Sequence, residues 1–352
     1  MNAIPVQNIY YLLCYAWNKL EEKDVTDVAA DDSTRLIDLF GKILAAGTTH
    51  LFKRGLDRDY LQFDEDTRRL RGKINFGPTL RRALLQTGKI NCSYDELSYN
   101  VLHNQILKST IRRLFYVPAL DRKIGKDLAA LYRRFPAVDD IEITGQDFGR
   151  VRLHRNNYYY DFLLKVCRII HENLLIDERT GEYKFMDFDR NETKMRLMFE
   201  EFVRNFYRLE QTTFSVDRDY LNWQTDPAGQ DDHFLPRMQT DISLYSASLA
   251  RKIVIDTKFS QTTLIKSYHS ETEKVKTGNL YQMYAYLKNL EYHDGPGNEN
   301  CEGMLLYPTV AEPVDLNFSL PGHRLRVCTI NLDQEWTGIH QDLIGLLGVN
   351  AN

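Results

Sequence analysis

Apolar residues recur at helical spacing near the start of the chain. Ile9, Leu12, Leu13, Ala16 and Trp17 share one face of a segment from Val6 to Leu20, which predicts a helix with one buried side. A polar, acidic stretch from Glu21 to Asp32 interrupts the pattern, and Leu36, Ile37, Leu39, Phe40, Ile43 and Leu44 restore it. Between Gly55 and Phe76 the period shortens. Tyr60 to Phe63 and Leu70 to Phe76 alternate as short strands of a small sheet or barrel would. Asp95 to Leu131 reads as helix again, with Leu97, Val101, Ile106, Leu107, Ile111 and Leu114 as its buried set, until Pro136 and the acidic turn Asp139-Asp140 break it.

The second half alternates helices and strands. Tyr158 to Leu175 and Glu192 to Glu210 carry helical periods, with strand candidates at Phe214 to Asp217, Gln239 to Tyr245 and Lys252 to Phe259. A polar loop from Ser260 to Thr277 leads to a helix from Asn279 to Leu290. Strands around Met304 to Tyr307 and Leu325 to Ile330 follow, then a last helix from Trp336. This order predicts an α/β domain with a mixed central sheet, preceded by an α+β domain with a small sheet or barrel and helices. The boundary is expected near residues 140 to 157, dividing the chain into 1–150 and 151–352.

Composition narrows the class without naming a function. Hydrophobic residues at 43% and charged residues at 27% support ordered, core-forming domains. The five cysteines are scattered and no pair has the spacing of a zinc knuckle, which fits reduced thiols. No apolar run approaches a membrane span, so a cytoplasmic location is expected. A net charge of −4 gives no footprint of nucleic-acid binding, leaving that role to local clusters such as Arg68, Arg69, Arg71 and Lys73, which fit a solvated face equally well.

Chemistry concentrates in Pro236 to Leu244 and Arg251 to Phe259. Paired as a hairpin, these strands bring Asp241 beside Asp256, and strand alternation turns Asp256 and Lys258 to one side. Two carboxylates and an amine are what phosphodiester hydrolysis with a hard divalent cation requires. Asp241 and Asp256 would be ligands, the Thr257 carbonyl a third, and Lys258 the group that positions water or stabilises developing charge. The apolar run Ile253 to Ile255 would anchor the site on a buried strand. The same residues also fit a surface strand with an Asp-Lys pair, worth under about 1 kcal/mol when exposed.

An Asp, a gap and then Asp-X-Lys after an apolar run resembles the PD-(D/E)XK nuclease superfamily. Gln282 matches a helix glutamine that accompanies such sites and could hold water or phosphate; a solvent-facing glutamine is the plainer alternative. Glu200, with Glu201 as the alternative, matches the helix glutamate that often completes the metal shell, although either could be solvated. Pro236 lies ahead of Asp241 and not beside it as in the superfamily's motif.

Along nearly its whole length the chain is similar to the McrC family. The resemblance is carried by Asn8 to Trp17, Arg71 to Phe76, Asp95 to Asn104, Tyr183 to Glu192, Pro236 to Ile242, Asp256 to Phe259, Asn279 to Gln282 and Cys328 to Trp336. It implies a Mg²⁺-dependent endonuclease subunit of a methylcytosine-directed restriction system. It also implies a partner, a McrB-like AAA+ GTPase ring, that reads modified cytosine in double-stranded DNA and whose GTP hydrolysis this subunit stimulates; self-association for double-strand cleavage is compatible with it. The Gly-Lys pairs beginning at Gly41, Gly72, Gly88 and Gly125 lack the rest of a phosphate-binding loop, so GTP is expected on the partner and not on this chain. Residues 1 to about 150 are expected to engage that ring and 151–352 to form the PD-(D/E)XK nuclease, while a stand-alone repair or recombination nuclease and a non-catalytic adaptor remain alternative readings.

Overall fold

The computed structural model describes residues 4–18, 35–155, 157–176, 183–185, 191–225, 229, 231–260, 263–266, 273–293, 295–310 and 313–348. In chain order its helices are α1 (Val6–Ala16), α2 (Leu36–Arg54), α3 (Phe76–Arg81), α4 (Leu102–Phe115), α5 (Arg122–Arg134), α6 (Gly145–Arg150), α7 (Tyr160–Asn173), α8 (Glu192–Glu210), α9 (Thr277–Glu291) and α10 (Trp336–Leu346). The early strands are β1 (Asp59–Thr67), β2 (Lys73–Ile74), β3 (Ile90–Ser98), β4 (Leu174–Ile176) and β5 (Tyr183–Phe185). The later ones are β6 (Ser215–Asp217), β7 (Tyr220–Leu221), β8 (Met238–Gln239), β9 (Ile242–Ser246), β10 (Arg251–Thr257), β11 (Leu264–Lys266), β12 (Glu273–Val275), β13 (Glu302–Thr309), β14 (Asp315–Leu320) and β15 (His323–Asn331).

Two compact units emerge: Arg35–Asp187, and Met1–Thr34 together with Phe188–Asn352. The division differs from the expected cut near residue 150 at both ends. α7 belongs with the first unit, where Leu163 of α7 meets α2 so closely that a Cβ at Gly47 would lie 2.4 Å from it. α1 belongs with the second half. Asn8 is buried and donates both amide hydrogens to the carbonyls of Leu332 at 2.8 Å and Gln334 at 2.9 Å. Tyr11 stacks on Trp336 with ring centroids 4.6 Å apart, and Asn205 of α8 donates to the Tyr15 carbonyl at 3.1 Å.

In the Arg35–Asp187 unit, helices α2, α4, α5 and α7 pack around Phe40, Leu44, Leu107, Ile111, Leu128 and Val166, all essentially inaccessible to solvent. Beside them stands a three-stranded antiparallel sheet in the order β1-β3-β2. Its middle strand corrects the helix expected from Asp95 to Leu131. Asp95 to Ser98 end β3, each facing a residue of β1, and the helical run divides into α4 and α5. Phe76 likewise starts α3 and does not extend a strand.

The other unit is built on a six-stranded mixed sheet, order β14-β15-β13-β10-β9-β6, in which β10 pairs antiparallel with β9 and parallel with β13. Val254, Leu305 and Val327 point to one face and join Met283, Leu287 and Leu290 of α9 in a single apolar cluster. The alternate residues Ile253 and Ile255 point to the opposite face, where α8 lies against β6 and β10. Gly303 lets β13 and α9 approach: a Cβ there would sit 2.9 Å from the Met283 side chain. The strand expected from Gln239 to Tyr245 is two strands, β8 and β9, and the break falls at Thr240 and Asp241. The expected loop before α9 contains the hairpin β11-β12, and β14, an edge strand with several exposed positions, has no counterpart among the expected strands. All five cysteines are buried. Among the described residues no helix is long and apolar enough to cross a membrane.

Candidate active site

Asp241, Asp256, Lys258 and Gln282 converge where β9, β10 and α9 meet, all within one compact unit. Ile242 pairs with Ile255, so Asp241 and Asp256 are the next residues outward on neighbouring strands. The Asp241 carboxylate is clamped at Oδ2, which accepts the Thr257 N–H at 2.8 Å and the Thr257 hydroxyl at 2.9 Å. Its backbone carbonyl accepts Arg218 Nε at 3.3 Å. Backbone and side chain of Asp241 are therefore held from different directions.

Asp256 is 1% exposed, and neither of its carboxylate oxygens has a hydrogen-bond partner. Lys258 Nζ stands 2.6 Å from Oδ2, an ion pair that is close but poorly directed. Burial, and after it the Asp241 charge, push the Asp256 carboxyl up to about 7, against the pull of Lys258. Lys258 Nζ also donates to Gln282 Oε1 at 2.8 Å, and Gln282 Nε2 donates to the Tyr286 hydroxyl at 2.8 Å. Gln282 thus orients the lysine and is itself oriented by Tyr286, one helical turn on. The backbone N–H of Lys258 donates to the Leu306 carbonyl at 2.9 Å, which continues the β10-β13 pairing and steadies the residue.

Glu200 and Glu201 both lie near the site but are differently placed. Glu200 is the more enclosed, with a side-chain exposure of 12% against 40% for Glu201. Burial and the Asp241 charge hold its carboxyl above the usual range. Two arginines engage the pair. Arg218 contacts Glu200 closely and reaches Glu201 at 3.4 Å; Arg204, itself buried, contacts Glu201 closely and Glu200 at 3.5 Å. Arg218 is fixed in turn by its neighbour Asp219, which accepts from Thr240 N at 3.0 Å through its carbonyl, donates through its N–H to Thr240 Oγ1 at 2.9 Å, and pairs with the buried Lys252 at 2.7 Å.

Sequence reasoning missed Arg218, Arg204 and Tyr286. The Glu200/Arg204 and Gln282/Tyr286 spacings of four are readable helix signals. Arg218 has no local signal, because only the folding of the β6-β7 connection onto the Thr240 break brings it to Asp241.

The donor set is hard oxygen, which suits Mg²⁺ better than zinc or copper. The buried Asp256 oxygens without hydrogen-bond partners are what a cation would satisfy. No ready group of three or more His, Cys, Asp or Glu is assembled among the described residues. Mg²⁺ fits such a site because it keeps several waters and needs only one or two carboxylates; Asp241 and Asp256 would supply them, with the Thr257 carbonyl and Glu200 as further oxygens.

The family model described as McrBC 5-methylcytosine restriction system component matches residues 6–308. The chain is 36% identical over 345 residues to the Type IV methyl-directed restriction enzyme EcoKMcrBC of Escherichia coli (strain K12), covering 98% of this chain and 97% of that relative. Among solved structures, the fold is similar to one described as a refined half-complex from a tetradecameric assembly of Thermococcus gammatolerans McrB AAA+ hexamers with bound McrC. The TM-score is 0.58 at 15% identity, over 97% of this chain and 76% of that one. A match through most of the length, in sequence and in fold, leads to one conclusion: the chain belongs to the McrBC 5-methylcytosine restriction system component family.

Proposed function

We propose that this chain is the Mg²⁺-dependent DNA endonuclease subunit of a methylcytosine-directed restriction complex, with a PD-(D/E)XK-type site at Asp241, Asp256 and Lys258. The observation that carries the reading is the Asp256 carboxylate, buried on a central strand without a hydrogen-bond partner, beside Asp241 and in line with Lys258. What distinguishes Asp256 from the largely buried Asp219–Lys252 pair is that both of its oxygens lack a hydrogen-bond partner and a second carboxylate, Asp241, stands beside it, an arrangement a divalent cation would satisfy. When bound, Mg²⁺ supplies Lewis-acid activation of water and phosphate. Asp241 and Asp256 provide the oxygens that hold it, Asp241 being fixed by Thr257. Lys258 presents its ammonium, aimed by Gln282, to the attacking water or to the charge that develops on phosphorus.

The partner in this proposal is a McrB-like AAA+ GTPase ring that binds GTP and selects double-stranded DNA with modified cytosine. The Arg35–Asp187 unit, which holds none of the candidate catalytic residues, engages that ring and stimulates its GTP hydrolysis; the unit containing α1 and residues 188–352 cuts. Reconstitution of the full chain with the partner tests both parts. Methylated DNA is cut when GTP and Mg²⁺ are present, and Asp256→Ala abolishes cutting while stimulated GTP turnover stays near wild type. Cleavage by the chain alone would favour a stand-alone nuclease, and residual Mg²⁺-dependent cutting by the variant would remove Asp256 from the site.

A further inference from the structure

We propose that Arg218 is a positioning residue that competes with the divalent cation for Glu200 while holding the backbone of Asp241 in place. The inference deepens the nuclease reading and rests on it. One guanidinium makes both contacts: Nε donates to the Asp241 carbonyl, and Nη2 engages Glu200 and Glu201.

Glu200 has two competing partners. On one side stand Arg218 and Arg204; on the other lie Asp241 and Asp256, whose negative charges it feels and whose cation it could share. With both arginines in place Glu200 is drawn away, consistent with the lack of a ready three-carboxylate group among the described residues. Two arginines and two glutamates balance. Remove the charge of Arg218 and the buried Arg204 still has Glu201, its closer partner, so Glu200 is the carboxylate released. A released Glu200 adds a ligand, and the lost positive charge no longer opposes the cation. Both effects tighten cation binding, by about tenfold for one unit charge acting on a divalent ion across a few ångströms of wet protein. Turnover moves the other way if Asp241 loses its backbone anchor.

The experiment is titration calorimetry of the full-length chain with Mg²⁺ and with Mn²⁺, without DNA, for wild type, Arg218→Gln, Arg218→Lys and Asp256→Asn, with thermal melts to check folding. Gln keeps a donor for the Asp241 carbonyl and removes the charge; Lys keeps the charge and loses the fork. Arg218→Gln is expected to bind either cation about tenfold more tightly. Arg218→Lys should bind near wild type but lower kcat in the reconstituted complex with little change in KM for DNA. Cation binding by Arg218→Gln that is equal to or weaker than wild type, with wild-type binding abolished by Asp256→Asn, would overturn the role of Arg218. Wild-type binding that Asp256→Asn leaves intact would place the cation elsewhere and overturn the nuclease-site reading itself.

Discussion

Strands β1 and β10 show how differently the two units use charge. β1 lies at the edge of its sheet, most of its positions are exposed, and its acidic residues Asp59, Asp64 and Glu65 meet water. β10 is flanked by β9 and β13 and buried along its length after Arg251. It reads as the continuous apolar run of a strand covered on both faces, apart from the charges at its ends. A carboxylate on β1 needs no explanation, because it sits at the surface, where Ser93 and Asn75 donate to Asp64, Tyr94 donates to Glu65 and water reaches what is left. A carboxylate on β10 must be matched or must serve a ligand. The same side chain is uninformative in one strand and diagnostic in the other, and burial makes the difference.

The largest effect is expected at Lys258, the residue that follows the last one of β10. Lys258→Ala is expected to lower kcat by ~10²–10³-fold with cation binding retained, as removal of one charge-stabilising donor typically does. Single-turnover cleavage on methylated DNA measures it, and a near wild-type rate would reduce the pair to a structural one.

A second test uses pH. The folded-state carboxyl of Asp256 lies at about 7, above its ordinary value of 3.8, so the folded chain binds a proton more strongly than the unfolded chain does. Its contribution to stability therefore falls as pH rises from about 4 to about 7 and stays low above that. Asp256→Asn, permanently neutral, escapes the fall. In cation-free buffer the variant should melt at the same temperature as wild type near pH 4 and a few degrees higher at pH 8, with added Mg²⁺ narrowing the gap by stabilising only wild type. A gap that shrinks with rising pH would contradict the buried-charge account. The smallest effect belongs to β1, where Gln62→Ala, at an exposed position, should change unfolding free energy by less than about 0.5 kcal/mol in denaturant melts.

What could be read from sequence follows the range of the interactions. The juxtaposition of Asp241, Asp256 and Lys258 was legible because strand alternation and hairpin pairing are local rules. α8 was legible to its ends, since nineteen residues of regular period outweigh weak propensities. β3 was not, because Asp95, Glu96 and Ser98 are polar, Leu97 fits a helical period as well as a strand, and the segment finds its strand identity only against β1, between thirty and forty residues earlier in the chain. Arg218 was hidden for the same reason. The unit boundary failed most widely: the Asn8 side chain takes its partners 324 and 326 residues away, and no periodicity reports that.

That last contact has a consequence in time. Synthesis proceeds from the N-terminus at about 5–20 residues per second, so α1 emerges roughly 15–60 s before Leu332 and Gln334 exist. Arg35–Asp187 is contiguous and can close while the rest is still being made; the unit that carries the candidate site must wait for its own last strand and helix. A chain released early, with Asp241, Asp256 and Lys258 already present, lacks the carbonyls that seat its first helix. Until those carbonyls are made, the residues of the proposed site belong to a unit that has not yet closed.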